Sequence, residues 1–477
     1  MNIQRDLRYN EKAMKVLLGS DDIIFFDFEI GNTAAFCVYV DSITDKELLG
    51  LEVIAPLKKS DAEKSVSALA KNITLANTET QSKIADAADA VLNGNVAIFI
   101  DGKNKAVCVD LKKFEVRAIS EPPTGLAVRG PRNGFTESIK SNLSLVRRYL
   151  KSSDLKIETF ERGKYTKTSI AFMYIEGITR PEIIEKVRKK IKEINVDGIP
   201  DSSYVSKLLS ERKTSLFKQV GSTERPDVLI ERMLEGRIGI IVDGSPFVLT
   251  LPYLLIEDFQ AAEDYYISQY RANLVRALRV VAMIFSILLP SVFVAAQLFH
   301  LQVIPLNFLL TIVNGIKEIP FSPSLEMFFV LLIFELLNET SVRMPKYVGM
   351  ALAVVGALVL GETAVNAGIV STPAILIMAL SGISIYAIPE IVETTSVLRF
   401  VFLLVAGSLG GYGLIMLSAF VTLYLASADN YGAPYLAPYS PVIVNDFQDA
   451  LYMKNVTGML KRPVALGSKN KTRRRIN

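Results

Sequence analysis

The chain has 477 residues, 50% of them hydrophobic, and a formal net charge of +4. That is too long for one ordinary domain and too apolar for a plain soluble protein. One histidine, two cysteines without metal-ligand spacing, no nucleophile motif and no Gly-x-x-x-x-Gly-Lys leave no catalysis, cofactor, metal or nucleotide chemistry to assign.

The apolar residues are unevenly spread. Residues 1–270 are mixed and charged, whereas 280–428 are strongly apolar. The opening "MNIQRDLRYNEKAMKVLLGS" lacks the apolar core of a signal peptide, so the first half is expected on the cytoplasmic side. "DIIFFDFEIG" and "TAAFCVYVD" then predict a hairpin around a Gly-Asn turn, rich in β-branched and aromatic residues. Cys37 and Cys108 fall inside strand-like runs and are expected to be buried thiols in a reducing compartment.

Further along, the same signals return in order. Phe28–Gly31 "FEIG" matches Phe160–Gly163 "FERG", Tyr39–Leu49 matches Tyr174–Ile184, and "LNGNVAIFIDG" from Leu92 matches "LEGRIGIIVDG" from Leu234. The offsets are 160 − 28 = 132, 174 − 39 = 135 and 234 − 92 = 142. Ordered matches with a slowly growing offset predict a tandem duplication with loop insertions. Each unit reads as α/β: a hairpin, a polar helix ("RPEIIEKVRKKIKEI" is the clearest, with Pro181 at its start), then a buried strand ending in Asp-Gly. Asp101 and Asp243 are read as formers of two-residue hairpin turns rather than as ligands. Between the units, "EPPTGLAVRGPRNGFTESIKSNLSLVRRYL" carries Arg129, Arg132, Arg147 and Arg148. Such a loop can grip a phosphate or carboxylate, and equally can serve as a subdomain or subunit interface; the interface is the reading favoured.

Val280–Phe299 has no formal charge and is long enough to span a bilayer, with Arg271, Arg276 and Arg279 before it marking a cytoplasmic start. His300 closes it and reads as interfacial. Near Leu325–Leu337, Glu335 lies deep in "FFVLLIFELL" and must face a helix, a subunit or water rather than lipid. Glu339 and Arg343 share its helix face and read as a membrane-edge charge pair; Glu326 precedes them. Val348–Val370 and Ala374–Pro389 are apolar and rich in small residues, including Gly349, Gly356, Gly361 and Gly368. "GETAVNAGIVSTP" interrupts them with Glu362, Asn366, Ser371 and Thr372, which either line an ion or solute path or form a loop outside the bilayer. Phe400–Ala428 has no charge and holds Gly407 and Gly411 at close-packing spacing. Five apolar segments would leave the basic tail outside, although its eight basic residues from Lys454 onward read as cytoplasmic. One short piece within 301–389 is therefore expected to enter without crossing, leaving four full spans.

"ERPDVLIERMLEGRIGIIVDGSPFVLTLP" followed by "EDYY", then "AGIVSTPAILIMALSGI" and "YGAPYLAPYSP", together with "EPPTGLAVRGPRNGFTESI", resemble the A subunit of GerA-type spore germinant receptors. The resemblance runs from about residue 10 to about residue 441. A related sporulation membrane protein shares the family. The resemblance implies a protein of the bacterial spore inner membrane with its N-terminal half facing the core. It implies a B subunit partner that resembles amino-acid transporters and recognises the nutrient, and a C subunit lipoprotein. It also implies a homo-oligomer of A subunits acting as a nutrient-gated cation channel.

The expected fold is thus an α/β tandem-duplicated soluble region of two related subdomains with mixed sheets, followed by an all-α polytopic membrane domain. The expected boundaries are 1–118 for an N-terminal arm and first subdomain, 119–152 for a Gly/Pro/Arg linker, 153–270 for the second subdomain, 271–428 for the membrane helices and 429–477 for a basic cytoplasmic tail. The expected function is a ligand-gated, cation-conducting receptor subunit that contacts membrane lipids and no nucleic acid. Glu335, Glu362, Asn366, Ser371 and Thr372 are placed on or near its ion path. A solute transporter and a non-conducting scaffold are the alternatives; a transporter predicts inverted repeats in the membrane half, whereas the duplication is visible in the soluble half.

Overall fold

The computed structural model describes residues 1–60, 65–73, 75, 77–113, 130–316, 319–343 and 361–473. Its first sheet is built from β1 (Ile23–Ile30), β2 (Thr33–Val40), β3 (Thr78–Gln81), β4 (Asn95–Ile100) and β5 (Ala106–Asp110), in the order β1-β2-β4-β5-β3. The second comprises β6 (Leu155–Arg162), β7 (Thr168–Ile175), β8 (Gly221–Thr223), β9 (Ile238–Val242) and β10 (Val248–Leu251), in the order β6-β7-β9-β10-β8. The two orders are the same, as a duplication requires. The expectation of mixed sheets refines to sheets whose pairings are all antiparallel.

Each sheet is the middle of three layers. Alternate residues of a strand point to opposite faces, and here both faces are covered, so the strands read as unbroken apolar runs. In the first sheet, Ala35, Cys37 and Tyr39 meet Leu49, Val53 and Leu57 on one side. Phe36, Val38 and Val40 meet Met14, Leu18, Ala87 and Val91 from the helices Leu7–Leu18 and Ile84–Leu92 on the other. The two buried, unbridged cysteines thus lie on opposite faces, and burial pushes each thiol up to about 12, which keeps them protonated. In the second sheet, Ile170, Phe172 and Ile240 pack on Ile183, Val187 and Ile191 of the helix Pro181–Glu193. Ala171, Met173 and Ile241 pack on the helices Ile139–Tyr149 and Pro226–Glu235.

The paired Asp-Gly motifs do something the sequence did not suggest. Gly31 and Asn32 form a two-residue turn, since Ile30 pairs with Thr33. Asp101–Gly102 and Asp243–Gly244 also form turns, with Lys103 N–H donating to Ile100 O and Ser245 N–H to Val242 O, each at 3.2 Å. The connection around each is longer than two residues, since the last paired residues are Ile98 with Val107 and Ile240 with Leu249. Asp101 Oδ1 accepts from the backbone N–H of Leu7 at 3.3 Å, and Gly102 N–H donates to Arg5 O at 2.9 Å. In the second unit, Asp243 Oδ1 accepts from Ile139 N–H at 3.1 Å and Gly244 N–H donates to Glu137 O at 2.8 Å. Each aspartate therefore holds the first turn of its own unit's first helix, satisfying a backbone donor that a helix start leaves open. Both following glycines have positive φ, 74° and 85°. Asn10 and Asn142, each buried, repeat a second contact, accepting from the backbone N–H of Gln4 at 2.9 Å and of Thr136 at 2.8 Å.

Two expected boundaries shift. Residues 139–149 of the expected linker form a helix in the core of the second unit, where they correspond to Leu7–Leu18 of the first. The expected tail folds back rather than trailing free. Tyr431 joins the second unit's core, and Ser468 Oγ donates to Glu235 O at 2.6 Å.

Between residues 269 and 426 the described residues form the helices Gln269–Phe299, Leu306–Ile316, Pro323–Arg343, Thr372–Ile385 and Val392–Ala426. Residues 348–360, including Gly349 and Gly356 of the expected small-residue segment, lie outside the described residues. Two apolar runs, Gln269–Phe299 and Pro389–Ala426, are long and apolar enough to cross a membrane by length and composition. The second is not a straight rod, because Gly410 sits at φ 61°, ψ −149° inside it. A straight 35-residue helix would measure about 52 Å. Yet Thr394 Oγ1 donates to Leu216 O at 2.8 Å and Tyr424 Oη donates to Ser215 Oγ at 3.2 Å, so its two ends meet adjacent residues. The helix folds back on itself at Gly410, whose missing side chain makes room for Phe299. Phe400–Ala428 thus holds the bend and the returning arm. Left-handed backbone at a single glycine is the cause of the bend, and periodicity does not register it. The piece within 301–389 that was expected to enter without crossing lies partly outside the described residues.

Candidate functional site: a polar seam among apolar helices

The site grows from Glu335, on the helix Pro323–Arg343. The rising arm of the hairpin lies beside it and brings Arg399 into contact: Arg399 Nη2 donates to Glu335 Oε1. The Arg399 side chain is 0% exposed and that of Glu335 is 21% exposed. Ser396, one turn before Arg399, donates from Oγ to Glu335 Oε2 at 3.3 Å. Arg399 Nη1 reaches Ser381 Oγ at 3.4 Å, and Ser381 Oγ donates to Ser286 O at 2.9 Å. The seam thereby joins four helical elements. The guanidinium also lies over the ring of Phe334, 5.4 Å from its centroid. A lone charge among apolar helices carries a large desolvation cost, so each member of this pair makes the other tolerable. Satisfaction is incomplete: Arg399 Nε and the neighbouring buried Thr395 Oγ1 have no hydrogen-bond partner among the described residues.

A second carboxylate lies further along the same helix. Glu326 is buried, and its Oε1 accepts from Ser371 N–H at 2.6 Å. Ser371 Oγ in turn accepts from Ala374 N–H at 3.3 Å, capping the helix Thr372–Ile385. A carboxylate and a serine at a helix N-terminus satisfy open donors and favour the dipole.

Of the residues singled out from sequence, Glu335 and Ser371 join this seam. Glu362 and Asn366 are exposed on the helical turn that ends at residue 366, and Thr372 is exposed as well. Glu339 and Arg343 form an exposed pair, with Arg343 Nε donating to Glu339 Oε1 at 2.8 Å. Arg129 lies outside the described residues. Arg132 and Arg148 are exposed, whereas Arg147 is buried and forms a two-point ion pair with Asp22 of the first unit at 2.7 and 2.8 Å. Sequence reasoning did not single out Arg399 and named Glu326 without giving it a role. The available signal was the run of Ser381, Ser396 and Arg399 in otherwise apolar surroundings, which a helix pairing would have been needed to connect.

The foot of the helix Gln269–Phe299 is a second polar centre. Arg276 is fully buried; its Nε donates to Asp264 Oδ2 at 2.9 Å, and its Nη1 donates to Asp449 Oδ1 at 2.8 Å and Ala450 O at 2.6 Å. Arg279 Nη1 donates to the same Asp264 at 2.8 Å. The second unit, the first long helix and the tail are thereby tied at one point, and the helices leave and return at the same end of that unit. Beside it, Tyr253 Oη donates to the buried Asp258, and Lys218 pairs with Glu390 ahead of the hairpin. Burial, the largest cause, pushes the Asp258 carboxyl up to about 7 against the lowering effect of Tyr253. No cluster of three or more metal-ligating side chains occurs among the described residues.

Residues 11–465 match the model of the Bacillus/Clostridium GerA spore germination protein family. Spore germination protein KA of Bacillus subtilis (strain 168) is 35% identical, over 97% of this chain and 87% of that relative. Spore germination protein GerQA of Bacillus cereus is 32% identical, over 97% of this chain and 93% of that relative. The crystal structure of the N-terminal domain of the A subunit of the Bacillus megaterium spore germinant receptor GerK3 matches 54% of this chain and 98% of its own, at 30% identity and a TM-score of 0.42.

Proposed function

The chain belongs to the Bacillus/Clostridium GerA spore germination protein family, and from that premise we propose that it is the A subunit of a nutrient germinant receptor in the spore inner membrane. In this reading the apolar helices are embedded in the bilayer and the two α/β units face the spore core. A B subunit recognises the nutrient, a C subunit lipoprotein completes the receptor, and copies of this chain assemble into a cation-conducting channel. No catalytic step is assigned to it.

The observation that carries the reading is the Glu335–Arg399 pair inside the apolar helices. A scaffold helix has no need of a charge there, and apolar residues of like volume would serve packing as well or better. Glu362 and Asn366, exposed on the single chain, are available to a lumen or to a neighbouring copy. We assign Glu362 and Asn366 to the ion path, with Ser371 and Thr372 near it. Glu335 holds the resting arrangement while Arg399 neutralises it. A ligand-driven shift of the hairpin that parted the two would expose a carboxylate to the path, and carboxylates lining a pore attract cations. The foot cluster Arg276–Asp264–Asp449 transmits that shift between the second unit and the helices.

The second reading is a non-conducting scaffold, in which Glu335 stays paired with Arg399 and no path opens. Potassium efflux from liposomes holding the assembled receptor separates the two. A channel loses efflux on Glu362→Gln, and a scaffold conducts in neither form.

A further inference from the structure

The two units of this chain meet through an unlike pair of surfaces, and the duplication has left a twin of each surface open. The contributing patch of the second unit is the end of its first helix with the edge of β6: Arg147, Ile157 and Thr159. The receiving patch of the first unit is the corner Ser20–Asp22. Arg147 donates twice to Asp22. Asp21 N–H donates to Ile157 O at 2.9 Å, Ile157 N–H to Ser20 Oγ at 2.9 Å, and Thr159 N–H to Asp21 Oδ2 at 2.8 Å. The contact is heterologous: neither unit offers the other the surface it receives. Interfaces of that type continue from copy to copy, closing into rings when the rotation allows.

The twins follow from the offset of 132 that relates the first helices and first strands. Lys15 corresponds to Arg147, Phe25 to Ile157, Ser20 to Ser152 and Asp22 to Asp154. The helix Leu7–Leu18 of the first unit therefore presents the contributing patch a second time. Its Arg8, Lys12 and Lys15 are exposed, Val16 is 77% exposed, and Phe26 on the adjoining edge strand is 43% exposed. Arg8, Glu11, Lys12, Lys15 and Val16 line a shallow groove there. The second unit in turn presents the receiving corner a second time, at Ser152–Asp154, with Asp154 exposed. Its backbone has the same form: Leu155 N–H donates to Ser152 O at 3.3 Å, as Ile23 N–H donates to Ser20 O at 3.1 Å. The central charge pair is kept, with Lys15 standing where Arg147 stands and Asp154 where Asp22 stands, whereas Asp21 and Thr159 are replaced by Ser153 and Asp27. Lys15 pairs at present with Glu11 one turn back, an exposed pair of the kind that contributes little and is easily exchanged.

The geometry points to a second copy of this chain as the occupant: the Leu7–Leu18 helix of one copy docks on the Ser152–Asp154 corner of the next, repeating between chains the contact that Arg147 and Asp22 make within one. This rests on the oligomeric reading above and names the surface through which it occurs.

The test uses the full chain with its receptor partners, in membranes and then in detergent. A chain carrying Lys15→Cys and Asp154→Cys, treated with a short bismaleimide, is expected to give a ladder of cross-linked copies; the native cysteines are buried. Lys15→Asp alone and Asp154→Lys alone are expected to reduce the oligomer fraction at least severalfold, measured by light scattering, and the double exchange to restore it. Exposed positions leave folding intact, which circular dichroism checks. An assembled wild type whose oligomer fraction ignores both single changes, with no ladder, overturns this surface and leaves the oligomeric reading standing. A wild type that is monomeric with its partners present overturns both.

Discussion

Arg399 donates to the carboxylate of Glu335 from a side chain wholly enclosed by apolar helices. The two residues are 64 positions apart and meet because the hairpin that turns at Gly410 lays its rising arm along the helix Pro323–Arg343. Removing one partner strands the other charge. Arg399→Leu or Glu335→Leu alone should cost about 3–5 kcal/mol, and the double change to leucine much less. Thermal unfolding of the detergent-solubilised chain measures this. Single changes as mild as the double one would mean that the pair is not enclosed as described.

Arg147 and Asp22 form the corresponding clamp between the two units, with side chains 0% and 4% exposed. Arg147→Ala leaves a buried aspartate and should destabilise the N-terminal half by roughly 3 kcal/mol or more. Arg148→Ala, one position on and exposed, should change stability by less than about 0.5 kcal/mol. Chemical denaturation of the full chain, followed by a probe in the first unit, distinguishes the two; equal effects would remove the clamp.

Much of this N-terminal half was legible beforehand. The doubled "Leu-x-Gly … Asp-Gly" phrase and its ordered neighbours gave two equivalent units, and the sheets have the same strand order. What the doublet does was not legible. Asp101 and Asp243 look like turn residues, yet each reaches a helix start about a hundred positions earlier in the chain, and local spacing carries no sign of such a contact. The helix Ile139–Tyr149 was lost in a stretch that composition marked as linker. In the apolar half, Glu335 stood out because a carboxylate is costly there. Arg399 stayed unassigned because its pairing depends on how helices pack, and both are flanked by residues of nearly uniform hydropathy. Glu326 was noted without a role for a similar reason, since its partner is a backbone N–H at Ser371.

Stability should depend on pH through Asp258. Its carboxyl loses a proton near 3.8 when unfolded and near 7 when folded, where burial opposes the charge. Between those values the folded chain holds the extra proton, so stability is highest below the unfolded value, falls as pH rises through the window and levels off above about 7. Glu231, raised by burial from 4.5 to about 7, adds a fall of the same sign. Asp258→Asn should flatten part of that slope relative to wild type. Unfolding midpoints at a series of pH values test it, and identical slopes would refute it.

Gly236 ends the helix Pro226–Glu235 at φ 112°, and a Cβ there would come within 2.3 Å of Ser468 Oγ on the folded-back tail. Gly236→Ala adds backbone strain and pushes Ser468 away, costing about 1–2 kcal/mol and loosening the tail. Gly244→Ala shares the positive φ but meets nothing within 4 Å. Limited proteolysis should therefore cut the tail faster in the first variant than in the second. Equal cutting would place the tail elsewhere.

The central claim is that this family member conducts cations along a path that includes Glu362, gated by parting Glu335 from Arg399. The direct measurement is potassium efflux from liposomes containing the chain with its B and C partners, triggered by a mixture of L-amino acids. The account predicts triggered efflux from the wild type, at least tenfold less from Glu362→Gln, and untriggered efflux from Arg399→Leu. An assembled receptor that binds the trigger but releases no potassium, in wild type and in both variants, would contradict it.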